Sequence, residues 1–304
     1  MFKKSNFYFF SLIISGLLVF GLSSCGGSGN EKDGNTDGDT TKNEVVETGE
    51  LAPGMTPWDF PTVGITANAG DYVLCPGYVM YTNSLASEDP MSETYIFYTA
   101  KMAATGDVES EIEFTFDGKQ KMPNSMIIPI PSGQTAAKGD IVLTWWQGGS
   151  GMQRAIITDD SNPAEPKAVF LDLSLDMQTD DETNEVGTVL EANSFVKITD
   201  PWQAGNLIAA KDGSSYNSVQ IIRVEGDKVL TIGFAGRVKV YAKADCKPVP
   251  IVPNVKKGDK VWATFVGGFG EYEVAKVDAE NGLVYVIQFD SEEPIPYGQI
   301  ATDL

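Results

Sequence analysis

Histidine is absent from the 304 residues of the chain. That one absence removes imidazole acid–base work, Ser-His-Asp and Cys-His nucleophiles, and histidine metal ligation. Cysteine occurs three times, too rarely to build a Cys₄ zinc site. Basic residues are also few: 22 Lys and Arg stand against 42 Asp and Glu, a formal net charge of -20. Phosphate backbones are recognised by clustered Lys and Arg, so no nucleic-acid partner is expected. Beyond Thr62 there is little that reads as a long amphipathic helix. The single long apolar run lies at the N-terminus.

That run has three parts. Lys3 and Lys4 precede it, Phe7 to Phe20 form its apolar body, and small residues close it at Leu22-Ser23-Ser24-Cys25. This is the plan of an export signal. A spanning helix needs about 20 apolar residues, more than are present. With cysteine at the cleavage point, the stretch resembles the lipobox of bacterial lipoproteins. The resemblance implies that residues 1–24 are a lipoprotein signal peptide and that Cys25 becomes the lipid-modified (palmitate-type) first residue of the mature chain. The protein is then expected at the cell envelope, anchored by lipid to a bacterial membrane, the outer one being expected, and extracytoplasmic. Loss of Lys3 and Lys4 moves the net charge from -20 to -22. An oxidising compartment leaves Cys75 and Cys246 as the pair available for an intramolecular disulfide, and two separate buried thiols are the reading favoured over a bridge.

Residues 25–61 read as a flexible acidic tether. Gly26 to about Gly54 is rich in Gly, Asp, Asn, Glu and Thr and too poor in apolar side chains to offset the entropy of ordering. Within it, Asp33-Gly-Asn-Thr-Asp-Gly38 with Glu44 fits the spacing of an EF-hand calcium loop. Thr40 occupies the position where that loop carries an aliphatic residue, and neither flank is an amphipathic helix, so no metal or other cofactor is assigned.

The remainder reads as all-β. Short runs such as Asp71-Tyr-Val-Leu-Cys75, Tyr95-Ile-Phe-Tyr-Thr99, Ile112-Glu-Phe-Thr-Phe116 and Ser125-Met-Ile-Ile128 are bounded by Gly, Pro, Asp and Asn. Their order recurs. Ala69-Gly70-Asp71, Lys138-Gly139-Asp140 and Lys257-Gly258-Asp259 each open a unit, and a divergent copy starts at Ser194-Phe-Val-Lys-Ile198 and continues through Val219–Arg223 and Leu230–Phe234. Pro129-Ile-Pro-Ser-Gly-Gln134 and Pro294-Ile-Pro-Tyr-Gly-Gln299 look like matching ends. Periods of about 50–70 residues suggest tandem small barrels. The expected units span 62–137, 138–192, 193–256 and 257–304.

The last unit carries the clearest likeness. Lys257-Gly-Asp-Lys-Val-Trp-Ala-Thr-Phe265, Gly270-Glu-Tyr-Glu-Val-Ala-Lys-Val277 and Leu283-Val-Tyr-Val-Ile-Gln-Phe-Asp290 resemble Tudor and related SH3-like barrels. The resemblance implies a cage for a cationic group formed by Phe265, Tyr272 and Phe289, with Asp290 as acidic neighbour. In the second unit Trp145 or Trp146 and Phe170 correspond, but Gln153 or Arg154 replaces the second-strand aromatic. Cation–π attraction contributes about 0.5–2 kcal/mol.

Read as residues alone, Phe265 and Phe289 serve better as core, because a small barrel needs bulky inward side chains. Adjacent Trp145 and Trp146 point to opposite faces of a strand, leaving at least one near solvent or a seam. Asp159-Asp160 and Asp180-Asp181-Glu182 sit in polar, turn-like stretches and read as solvated surface. With no catalytic constellation in view, the expected role is a non-catalytic interaction or scaffold protein that binds proteins or peptides, with basic segments favoured. Envelope glycan or peptidoglycan binding through Trp145, Trp146, Trp202 and Trp262 is the alternative.

Overall fold

The computed structural model describes residues 51–146, 151–180 and 182–304. The expected signal peptide, Cys25 and the Asp33 to Glu44 pattern lie outside them. The described part is built from antiparallel sheets, with one α-helix among the described residues. A first sheet contains β1 (Tyr72–Pro76), β2 (Phe97–Ala104), β3 (Glu109–Phe114), β4 (Gly118–Pro123) and β5 (Ile128–Ile130), with the helix α1 (Tyr78–Leu85) between β1 and β2. A second contains β6 (Ile141–Trp146), β7 (Gly151–Asp159), β8 (Lys167–Phe170), β9 (Thr188–Val189) and β10 (Val196–Lys197). A third group contains β11 (Leu207–Asp212), β12 (Ser215–Glu225), β13 (Lys228–Ile232), β14 (Val238–Ala242) and β15 (Cys246–Pro248). The last contains β16 (Lys260–Phe265), β17 (Gly268–Asp278), β18 (Leu283–Gln288), β19 (Ser291–Pro296) and β20 (Ile300–Ala301).

All four groups share one topology. Four strands follow one another as a meander, and a short fifth returns to pair with the first. In none of them does the fifth strand bond to the fourth, so no sheet closes into a barrel.

The shared topology has a local cause. Gly70, Gly139, Gly205 and Gly258 all have φ near +90°, a backbone conformation that glycine adopts at little cost. Each amide donates to a carbonyl of the second strand, at Met102, Ile157, Ile221 and Val274 respectively, and the amides of those four residues donate back to Asp71, Asp140, Asn206 and Asp259. The register of the second strand against the third shifts immediately after each of those four residues. A bulge there bends the strand and increases its twist. The carboxylates of Asp71, Asp140 and Asp259 accept the amides of Asn68, Ala137 and Lys256, closing the opening turn.

Several expectations are corrected. Ser194–Ile198 does not open the third unit: β10 pairs with β6 and completes the second sheet, so the 192/193 boundary cuts through that unit. The third unit opens at Gly205-Asn206, where the buried Asn206 amide donates to Pro201 O and Val249 O instead of closing the turn with a carboxylate. The two proline-rich stretches occupy different places, since Ile128–Ile130 is a fifth strand and Ser291–Pro296 a fourth. The folded part begins before residue 62: Trp58 and Phe60 are buried in the main core, and the Trp58 ring meets Tyr95 edge-on at 5.1 Å. Cys75 and Cys246, by contrast, are two separate buried thiols, which is the favoured of the two readings of this pair. Each lies in a different hydrophobic cluster, Cys75 with the first unit and Cys246 with Ile208, Val219 and Tyr241 of the third.

The first unit meets the second, and the third the fourth, through one shared seam geometry. In the fourth unit Gly268 bridges Asn217 of the third, β17 against β12. At the equivalent place Gly151, which pairs with Trp146 as Gly268 pairs with Phe265, lies so close to the first unit that a Cβ would stand 2.6 Å from Phe97 O. The first unit therefore meets the second as the third meets the fourth.

Candidate ligand-binding grooves

In the fourth unit the end of the first strand and the end of the third meet at one mouth. In the fourth unit, Val261, Ala263 and Phe265 share a sheet face with their partners Tyr272, Gly270 and Gly268. Phe265 and Phe289 meet edge to face with centroids 6.3 Å apart. Both are exposed, Phe265 at 49% and Phe289 at 86%, so the core role expected of them is overturned. The interior is already filled by Val261, Ala263, Val274, Val284, Val286 and Ile300. Tyr272 is partly buried beside that interior; its ring crosses Gly270, and its hydroxyl accepts Gln288 Nε2 at 3.2 Å. Tyr272 is thus engaged with Gly270 and Gln288 and is not an open third wall. Asp290 is exposed in the tight turn after Phe289.

Backbone strain gathers here. Val266 (φ 47°), Phe289 (φ 47°), Asp290 (φ 63°) and Ala235 (φ 55°) are four of the six non-glycine residues with positive φ among those described. The other two are asparagines, which tolerate that conformation. Val266 is 68% exposed and Phe234 66%. Phe234 stands against Gly267, whose Cβ, if present, would lie 2.8 Å from that of Phe234. The turns of the third and fourth units therefore carry one apolar ridge: Phe234, Val266, Phe265, Phe289.

The mouth of the first unit is a groove of about 480 Å³. Its rings are Tyr98, Phe114 and Phe116 from the first unit and Trp145 and Trp146 from the second, with Asp117 at its edge. Trp145 is buried in the seam, 4.9 Å from the Tyr72 ring. Trp146 turns the other way, onto the interior of the second unit. The two faces expected of this pair are both used, and both rings still reach the groove. Phe116 is 96% exposed. Sequence reasoning missed Tyr98, Phe114 and Phe116 because nothing in their spacing says that a neighbouring unit closes over them.

Phe170 lines a small cavity of about 80 Å³ together with Trp145 and Trp146, as the second-unit correspondence implied, and the other candidates are not brought into a site. Phe170 is buried in the second unit, its backbone held at both N–H and C=O by the Gln178 side chain. Arg154 is buried and turned to Asp172. Trp262 packs in the seam with Ala209 and Ala301, and Lys243 Nζ covers Trp202 at 4.6 Å. Asp159, at the end of β7, and Asp180 are exposed, and their carboxyls are held below the usual range by hydrogen bonds from Ser161 and Thr183 respectively. Compared with known proteins, the chain matches no protein-family model and no curated protein sequence.

Proposed function

We propose that the chain is a lipid-anchored, non-catalytic interaction protein of the bacterial cell envelope, exposing SH3/Tudor-like units that bind protein or peptide ligands. The ridge Phe234, Val266, Phe265, Phe289 carries this reading. Left-handed backbone at non-glycine residues costs of order 1–3 kcal/mol each. Exposed rings held on such turns do nothing for the core, and they suit a partner's apolar and cationic side chains. The acidic balance of the chain favours basic segments. A basic side chain across Phe265 and Phe289, with Asp290 beside it, would gain cation–π attraction and one carboxylate. Acylation at Cys25 would hold the units at the membrane surface.

The test is recovery of partners from detergent-solubilised membranes with the full chain as bait. The expected result is a partner retained by the parent chain and lost with the Phe265→Ala/Phe289→Ala variant. Equal recovery by both removes the ridge as the binding surface. Cys25→Ser should release the protein from the membrane fraction, and a variant that stays membrane-bound would refute the anchor. Glycan binding is the second reading, favoured by the five-ring groove at Tyr98, Phe114, Phe116, Trp145 and Trp146. Saturable Trp fluorescence change with peptidoglycan fragments, abolished by Trp146→Ala, would support it.

A further inference from the structure

The mouth of the third unit holds a groove of about 310 Å³, placed as the five-ring groove is placed in the first unit. In both, the first hairpin of the next unit forms one wall: Trp145, Trp146 and Gly151 there, Val266 and Gly267 here. The fold therefore builds this cavity twice, and the side chains give the two copies different chemistry.

The third-unit groove is lined by Arg237 and Lys239 together with Asn217, Tyr241, Phe234 and Val266. Both cations are exposed, and neither forms an ion pair with any described carboxylate. Lys239 Nζ lies 4.8 Å from the centre of the Tyr241 ring, so the ammonium is set beside an aromatic face. Asp212 is near, and its carboxylate already accepts Asn217 Nδ2 at 3.0 Å. In a chain with 42 acidic and 22 basic residues, two cations in one cavity without a carboxylate partner form a local reversal of sign. A guanidinium offers paired donors to a carboxylate or phosphate, and an ammonium adds a compact point charge.

We propose that this groove, which adjoins the ridge and shares Phe234 and Val266 with it but not Phe265 and Phe289, is a second binding site, for a small ligand carrying one carboxylate or phosphate on an apolar or ring-shaped body. Arg237 and Lys239 take the anion, and Phe234, Val266 and Tyr241 take the body. A volume of about 310 Å³ suits a single ring or residue.

The test is calorimetry on the detergent-solubilised full chain with four probes: phenyl phosphate, phenylacetate, benzyl alcohol and phenyltrimethylammonium. Phenyl phosphate and phenylacetate should bind saturably, weaken with added salt, and bind at least tenfold tighter than the neutral and cationic probes. Phenyl phosphate against phenylacetate then separates a phosphate source from a carboxylate one. Arg237→Gln/Lys239→Gln should lower anion affinity at least tenfold, while Arg237→Lys/Lys239→Arg and Trp146→Ala leave it within about twofold. Anion binding unchanged in the Gln variant, or equal binding of the cationic probe, would overturn the proposal. Partner recovery through Phe265 and Phe289 is read separately, so either reading can fail alone.

Discussion

Arg154 and Asp172 form a fork in which the buried guanidinium donates Nη2 and Nε to the two carboxylate oxygens at 2.5 and 3.2 Å. The backbone amide of Arg154 also donates to Asp172, and Nη1 donates to Tyr297 O at 2.7 Å, joining the second unit to the fourth. Removing the carboxylate would leave an uncompensated buried charge. Asp172→Ala is expected to cost about 3 kcal/mol, whereas Arg154→Met, which removes the charge as well, should cost less. Urea denaturation of both variants checks the order.

Gly151 has φ +82°, and a Cβ there would press on Phe97 O at 2.6 Å. Backbone faces it, so no flexible side chain can yield. Gly151→Ala should destabilise by about 2 kcal/mol or more and perturb the five-ring groove at the same seam. The check is a thermal melt paired with Trp fluorescence; an unchanged melt would mean that the first and second units do not meet at this glycine.

Exposed and buried phenylalanines should separate sharply. Phe289→Ala is expected to change stability by no more than about 0.5 kcal/mol because little area leaves water there, and Phe265→Ala, whose ring is half covered, by about 1 kcal/mol. Phe170→Ala, at 3% exposure, should cost about 3–5 kcal/mol. Comparable losses at all three positions would place the Phe pair in the core after all.

Stability should fall in alkali. Burial pushes the Cys246 thiol up to about 11 and the Tyr95 phenol up to about 12, and it raises Cys75 and Tyr81 as well. Because folding keeps these groups neutral, the unfolded chain loses its protons first, near 9 for Cys and 10 for Tyr. Their contribution is complete below pH 9 and is lost as pH rises through about 11 to 12. Urea midpoints across pH 8 to 11 test the slope. Native thiols should resist alkylating reagents at neutral pH and react on unfolding, as expected for buried, protonated sulfur.

Much of the local structure was legible. Gly-Asp pairs announced three opening turns because the turn needs a left-handed residue followed by a short acceptor. Asn206 hid the fourth, since its amide serves a buried polar role that a period search for Asp does not find. Of the cage residues named from resemblance, Phe265 and Phe289 meet each other at an exposed turn, although read as residues alone those two were expected to be core. Phe116, Tyr98 and Phe234 carried no signal, since an aromatic near a turn looks alike whether a neighbouring unit covers it or not.

From the chain of residues alone came the β class, the recurring unit, the acidic surface and the lack of imidazole chemistry. Periodicity, turn chemistry and composition are local properties, and each acts over a few residues. Only the tertiary structure decided that Cys75 and Cys246 belong to separate cores, that the sheets stay open, and that the first unit meets the second, and the third the fourth, to form two grooves of unlike charge. Those outcomes depend on which faces meet across long separations in sequence, as Arg154 meets Tyr297, and no short-range pattern encodes that choice.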